Sequence, residues 1–178
     1  TLARLAGSTC FSNFDMSGAF HCIPMEESAK EKTAFASPYG SFQQKRLGFG
    51  LCNGPATYCR LVERILQGIP TTVAVGFLDD GVIHSQGLDA HIKNLTTTLS
   101  AYAKAGLKLS PKKCNFFRAE ITFLGHTLNA SGIKPIGSYV QSNLNWKLPV
   151  TKSAARAFLG VTGYYRQFIK GYSAIAAP

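Results

Sequence analysis

The sequence predicts an α+β fold, an antiparallel sheet with helices on one face. Three observations carry that prediction. Short apolar runs of strand character recur along the chain. Two stretches of helical periodicity, 58–66 and 88–102, sit among them rather than in a separate half. Turn signals at Ser37-Pro38, Asp80-Gly81 and 129–132 fold the strands back as hairpins. Such a layer leaves the second sheet face free to carry a site.

The elements follow in order. Residues 10–15 (CFSNFD) alternate and read as a strand, and 20–25 continue as a further extended stretch. EESAKEK is a polar turn, and TAFASPYGSFQQKR is a hairpin. In LGFGLCNGPATYCRLVERILQG the first half is Gly-rich. Asn53 is then expected to cap a helix that has Pro55 in its first turn. Tyr58, Leu61, Val62, Ile65 and Leu66 share one face of it, and Gly68 and Pro70 stop it. Residues 73–85 form two short strands around Asp79-Asp80-Gly81, since Asp-Gly is among the strongest hairpin signals. Leu88, Ile92, Leu95, Leu99 and Tyr102 mark the buried stripe of a long helix that Gly106 ends. KLSPKKCNFF and ITFLGHTL are two more strands, and NASG is a turn. Thr151 caps a final helix with Ala155, Phe158, Leu159, Tyr165 and Phe168 on its apolar face.

Composition bounds the function. Hydrophobic residues make up 46% of 178, enough for a core and too many for a disordered chain. No apolar run reaches the roughly 20 residues of a membrane span, so no membrane partner is expected. Nineteen Lys and Arg against nine Asp and Glu give +10, which fits a polyanionic partner or simply a basic surface. The five cysteines (Cys10, Cys22, Cys52, Cys59, Cys114) include no C-x-x-C pair, and His21, His84, His91 and His126 complete no zinc pattern. Most of these cysteines read as small core residues of a reducing compartment. The chain starts Thr1-Leu2-Ala3-Arg4, without Met, and is expected to be a piece of something longer.

Asp79-Asp80 alone reads as an ordinary turn, because Asp side chains bond local backbone. Asp15 changes the balance. It ends the first strand and is followed by the small Ser17-Gly18 step, and acids are scarce in this chain. Neighbouring strands could set Asp15 beside the 79–80 turn. Three crowded carboxylates raise one another's pKa, and divalent cations relieve that. Mg²⁺ takes oxygen ligands, commonly one or two carboxylates plus waters and substrate phosphates. A carboxylate cluster on a basic protein therefore suits phosphoryl transfer.

At this point the motifs resemble a known family. FSNFDMSGAF resembles the first catalytic motif of retroelement reverse transcriptases, LGFGLCNGPATYCRLVERIL the second, and FLDD the Tyr-x-Asp-Asp box. AGLKLSPKKCNFF and ITFLGHTLNASGIKP are similar to the lysine-bearing segment and the primer-grip hairpin. WKLPVTKSAARAFLGVTGYYRQFIKGYSAIAAP is similar to the segment leading into the thumb. The order and spacing resemble those of gypsy-like long-terminal-repeat retrotransposons.

The resemblance implies a right-hand polymerase: a palm with partial fingers over 1–135, and the start of the thumb over 136–178. It implies RNA-directed DNA polymerase activity with two Mg²⁺ ions, or Mn²⁺ in their place, held by Asp15, Asp79 and Asp80. The Met16 carbonyl would lie beside a metal. Phe20 would be the steric gate against a ribose 2′-OH, where the residue type alone suggests a core aromatic. Phe49 and Gly50 would border the nucleotide. Asn53, Gly54 and Pro55 would border nucleotide and template, where plain turn and cap chemistry is the simpler account. Lys113, less so Lys112, matches the lysine that protonates leaving pyrophosphate, and is otherwise a solvated turn residue. Phe123, Leu124, Gly125 and His126 match the primer grip, and otherwise read as a core hairpin. Phe77 replaces the usual Tyr near the primer-template, and some relatives carry Gln in place of Phe49.

Implied partners are an RNA/DNA template-primer, a dNTP, and a ribonuclease H domain with other polyprotein domains in the parent. The implied location is intracellular, in a cytoplasmic particle of the retroelement. With fingers expected before Thr1 and further thumb after Pro178, the fragment alone is expected to be inactive. Two other classes fit the same residues: a catalytically inactive nucleic-acid-binding remnant, and a metal-dependent phosphodiesterase.

Overall fold

A central antiparallel sheet is built from residues far apart in the chain. A computed structural model describes residue 5 and residues 7–177; Thr1–Arg4, Ala6 and Pro178 lie outside them. Strands β1 (Cys10–Asp15), β4 (Ala74–Phe77), β5 (Asp80–Ser85) and β6 (Asn115–Arg118) pair in the order β4-β5-β1-β6. A hairpin of β2 (Phe35–Ser37) and β3 (Gly40–Phe42) stands apart. A third sheet runs β7 (Glu120–Phe123), β8 (His126–Asn129) and β9 (Gly132–Pro135). The helices are a short α1 (Glu27–Lys30), the two sheet-backing helices α2 (Gly54–Leu66) and α3 (Leu88–Lys104), then α4 (Gly137–Leu144), α5 (Lys152–Tyr164) and α6 (Tyr172–Ile175).

Alternation assigns the two faces of the central sheet. Phe14 and Ile83 point to α2 and α3, where they pack with Tyr58, Val62 and Tyr102. Phe11, Val75 and Val82 point the other way and pack under Ile121, Phe123 and Leu128 of the third sheet. Burying each such side chain contributes about 1.5–3 kcal/mol before entropy. The second face is thus only half free. Its apolar half is roofed by β7–β8, and its polar half, with Asp15 and Asp80, stays open.

Several local expectations need correction. The sharp turn falls at Leu78-Asp79, because Phe77 pairs with Asp80 across β4 and β5. Leu78 takes φ +51° to make it, and Gly81 lies inside β5. Residues 20–25 are not a strand. Phe20–Cys22 is a 3₁₀ turn, and Pro24 makes a lone bridge to Arg46. EESAKEK is α1 followed by a 3₁₀ turn. Asn53 precedes α2, with Pro in the first turn, but its side chain makes no cap bond. ITFLGHTL is not one strand but the β7–β8 hairpin, turning at Leu124-Gly125. On α3 the inward residues are His91, Thr98 and Tyr102, whereas Leu88 and Ile92 are exposed. Thr151 does cap α5, its hydroxyl accepting from Ala154 N–H at 3.1 Å. All five cysteines are free thiols.

His91 turns inward because it has partners there. Ser12 Oγ on β1 lies 2.7 Å from its Nε2 and accepts from Phe117 N–H on β6 at 3.1 Å. Ser85 Oγ lies 3.2 Å from its Nδ1. His84 bonds Ser8 Oγ at 2.8 Å. Burial holds both imidazoles below the ordinary histidine pKa, so they are neutral when folded. The unfolded chain binds protons near pH 6.5. Stability is therefore fully present above about that pH and is lost as pH falls below it. We expect the melting temperature to drop between pH 7.5 and 5.5, and the drop to shrink in a His84→Gln/His91→Gln variant. An unchanged profile in that variant would contradict the assignment.

Candidate polymerase site

The site starts from strand register. Asp15 is the last residue of β1 and Asp80 the first of β5, and they are direct cross-strand partners. Their side chains therefore share the open face. Asp79 occupies the turn beside them, and its carbonyl accepts from Met16 N–H at 3.1 Å. Beyond Asp15 the chain is fixed by Ser110 N–H, which donates to the Asp15 carbonyl at 2.9 Å. That bond anchors the 3₁₀ turn Pro111–Lys113. Lys113 Nζ then reaches Asp15 Oδ2 at 3.1 Å. Lys112 makes no such contact.

The electrostatics follow from crowding. Desolvation pushes the Asp79 carboxyl above its ordinary pKa, and the charges of Asp15 and Asp80 push it further; Lys113 pulls it back. Asp80 is raised by desolvation and then by Asp15, again opposed by Lys113. Asp79 Oδ1 is buried without a hydrogen-bond partner among the described residues. An orphaned carboxylate oxygen beside two like charges is a donor set suited to a hard cation. Among the described residues no group of three His, Cys, Asp or Glu side chains is arranged to hold a metal ion by itself; Mg²⁺ commonly takes one or two carboxylates and completes its shell with waters and substrate phosphates. Lys113 is largely solvent-exposed, and an exposed pair of this kind contributes only about 0–1 kcal/mol. It can leave Asp15 for a stronger charge.

A second cluster adjoins the first. Phe20 lies edge-on to Phe49 at 5.3 Å and tilted against Tyr58 at 5.5 Å. A Cβ at Gly54 would sit 3.7 Å from the Phe20 ring, so this helix start rests against it. Phe49 is 71% exposed; Gly50 follows it and Pro55 follows Gly54. The Met16 side chain is buried in the helix-side core. Phe77 is 52% exposed at the rim. Leu124 and Gly125 make the β7–β8 turn, and His126 opens β8.

Sequence reasoning missed Tyr58 as more than a core residue. Its hydroxyl is buried without a partner among the described residues. Its pKa is pushed well up by burial and then by the charge of Asp79. The available signal was a Tyr rather than a Phe in a fully buried helix position.

An antiparallel sheet backed by helices, with paired carboxylates on its open face at the ends of the two central strands, defines the class as an α+β polymerase palm. The profile of the family "Reverse transcriptase (RNA-dependent DNA polymerase)" matches residues 1–128, and the chain belongs to that family. It is 38% identical over 177 residues to the Pol polyprotein from transposon 297 of Drosophila melanogaster, covering 99% of this chain and 17% of that protein. It is 36% identical over 178 residues to the polyprotein from transposon opus of the same species, covering 100% and 18%. It is 30% identical over 177 residues to the transposon Tf2-3 polyprotein of Schizosaccharomyces pombe, covering 99% and 13%. The chain thus spans under a fifth of these relatives. Among solved structures it is similar to a foamy viral protease-reverse transcriptase in complex with double-stranded DNA. There the TM-score is 0.87 and the identity 26%, over 98% of this chain and 30% of that one. It is similar also to the foamy viral enzyme in complex with an RNA/DNA hybrid, with TM-score 0.78 and 26% identity over 93% and 22%. No helix among the described residues is long and apolar enough to cross a membrane.

Proposed function

We propose that this chain is the catalytic core of an RNA-directed DNA polymerase that extends a primer 3′-OH from a dNTP on a template strand. Residues 1–135 are then palm with partial fingers, and 136–178 lead into the thumb. The carrying observation is the Asp15–Asp80 cross-strand pair with Asp79 at the adjoining turn. Asp15, Asp79 and Asp80 would hold two Mg²⁺ ions, or Mn²⁺. When bound, these supply charge neutralisation at the attacking and leaving oxygens. The protein's own part is positioning. The β1–β5 register fixes the carboxylates, and the Met16 carbonyl would lie next to them. Lys113, a flexible cation beside Asp15, is placed to give a proton to pyrophosphate. Phe20, braced by Tyr58 and Phe49, closes the space a ribose 2′-OH would need. Phe49, Gly50, Gly54, Pro55 and Phe77 border nucleotide and template-primer, and the excess of basic residues holds phosphates. A ribonuclease H domain and other polyprotein parts would complete the parent, in a cytoplasmic particle of the element.

The test is extension of a DNA primer on RNA by the polypeptide expressed with its flanking reading frame, given Mg²⁺ and dNTPs. Strand shortening without dNTPs would instead indicate a phosphodiesterase, and duplex binding without extension a remnant. In the same assay Phe20→Ala is expected to lower the preference for dNTP over rNTP by about 10–100-fold. Undiminished sugar discrimination would place the gate elsewhere.

A further inference from the structure

We propose that Tyr164 and Tyr165, at the end of α5, are positioning residues for the β7–β8 turn. They hold its two carbonyls by their hydroxyls and leave its two N–H groups presented outward. The inference rests on the resemblance of this turn to the primer grip, whose backbone would steady the primer 3′ end.

The turn needs an external support. Leu124 takes φ +45° and Gly125 +71°, and for a branched side chain like Leu that backbone costs about 1–3 kcal/mol unless its surroundings hold it. Tyr164 Oη donates to the Leu124 carbonyl at 2.7 Å, and Tyr165 Oη donates to the Gly125 carbonyl at 3.0 Å. A Cβ on Gly125 would lie 3.0 Å from the Tyr165 hydroxyl, which would have to give by a few tenths of an ångström, and the φ of +71° strains any other residue there.

His126 completes the clamp. It is 2% exposed, and its ring lies 5.3–5.6 Å from those of Tyr164, Tyr165 and Phe168. Its Nδ1 is 2.6 Å from the Leu124 carbonyl. A carbonyl only accepts, so Nδ1 carries the proton and Nε2 is left to accept from Gln167, at 3.4 Å. The Leu124 carbonyl thus accepts two bonds and the Gly125 carbonyl one, two of the three from the tyrosines at the end of α5 and one from His126 of β8. Among the described residues the N–H groups of Leu124 and Gly125 donate to no protein group. Adjacent free N–H donors suit an anionic oxygen such as a primer phosphate. The same bonds join the palm hairpin to the helix that leads away from it, so the orientation of that helix and the shape of the turn are set together.

The test removes hydroxyls and keeps rings. Tyr164→Phe/Tyr165→Phe is made in the polypeptide expressed with its flanking frame. Tyr172→Phe serves as control, because it removes a hydroxyl that bonds Thr162 Oγ1 and the Leu159 carbonyl instead. Amide hydrogen exchange at Phe123 and His126, the cross-strand pair that closes the β7–β8 turn, is expected to speed up about tenfold in the double variant and not in the control. In primer extension, KM for the primer-template should rise by a similar factor while KM for dNTP holds. Unchanged exchange overturns the proposal whatever the activity. Faster exchange with an unchanged primer KM leaves the clamp standing and overturns the reading of the turn as a primer contact.

Discussion

Asp79→Asn is expected to abolish primer extension and, at the same time, to make the folded protein slightly more stable. The two effects have one cause. At neutral pH Asp79 is a carboxylate whose folded pKa is raised, first by desolvation and then by Asp15 and Asp80. A group with a raised folded pKa stabilises the fold only when protonated; that contribution is lost as pH rises through the folded value. The charge is therefore a standing cost at pH 7. Replacing it should raise stability by about 0.5–1 kcal/mol after allowing for solvent screening, or roughly 1–3 °C in melting temperature. Losing a charged oxygen that stabilises the transition state through a cation is worth about 4 kcal/mol, roughly 10³-fold in rate. Thermal melts and single-turnover extension on one preparation check both. A variant that melts earlier and loses activity in proportion would mean Asp79 is a structural turn residue.

Gly81→Ala is expected to destabilise the fold and disturb the site, through packing alone. Gly81 faces Phe14 across β5 and β1. An added Cβ would lie 2.2 Å from the Phe14 ring. That ring cannot swing away freely: it is buried and packs edge-on against Tyr102 at 5.3 Å. Overpacking of this kind costs about 1–3 kcal/mol, which in a chain of this size lowers the melting temperature by roughly 4–10 °C. Phe14 directly precedes Asp15, so extension should fall as well. Phe14→Leu in the Gly81→Ala background should recover part of the loss, because the two residues are in contact. A Gly81→Ala protein that melts with the parent would show the strands can part at no cost.

This glycine shows why the sequence was only partly legible. Asp80-Gly81 carries the strongest local hairpin signal in the segment, yet the turn is one step earlier. The glycine is needed inside the sheet, where its missing side chain makes room for Phe14, and a tertiary demand overrode the local one. On α3, helical spacing admitted Leu88 and Ile92 as readily as the adjacent stripe. The structure chose His91 and Thr98, and the partners of His91, Ser12 and Ser85, are 79 and 6 residues away. The α+β class, the β1 strand, the α2 helix and the Thr151 cap were visible because local chemistry and global packing agree there. At the site, three aspartates at strand ends stood out against a basic chain. Their alignment depends on the β1–β5 register, which no local pattern states. The tyrosine hydroxyls on the Leu124 and Gly125 carbonyls bridge 40 residues, and nothing in GYYRQF foretells them.

On this proposal the carboxylate cluster is a cation-dependent nucleotidyl transfer site. Its most direct test follows a 5′-labelled DNA primer annealed to an RNA template, with the polypeptide expressed with its flanking frame, Mg²⁺ and dNTPs. The expected result is stepwise lengthening that needs both Mg²⁺ and dNTPs and disappears in Asp79→Asn while duplex binding persists. Lengthening that survives Asp79→Asn, or tight duplex binding by the parent with no lengthening at all, would contradict it.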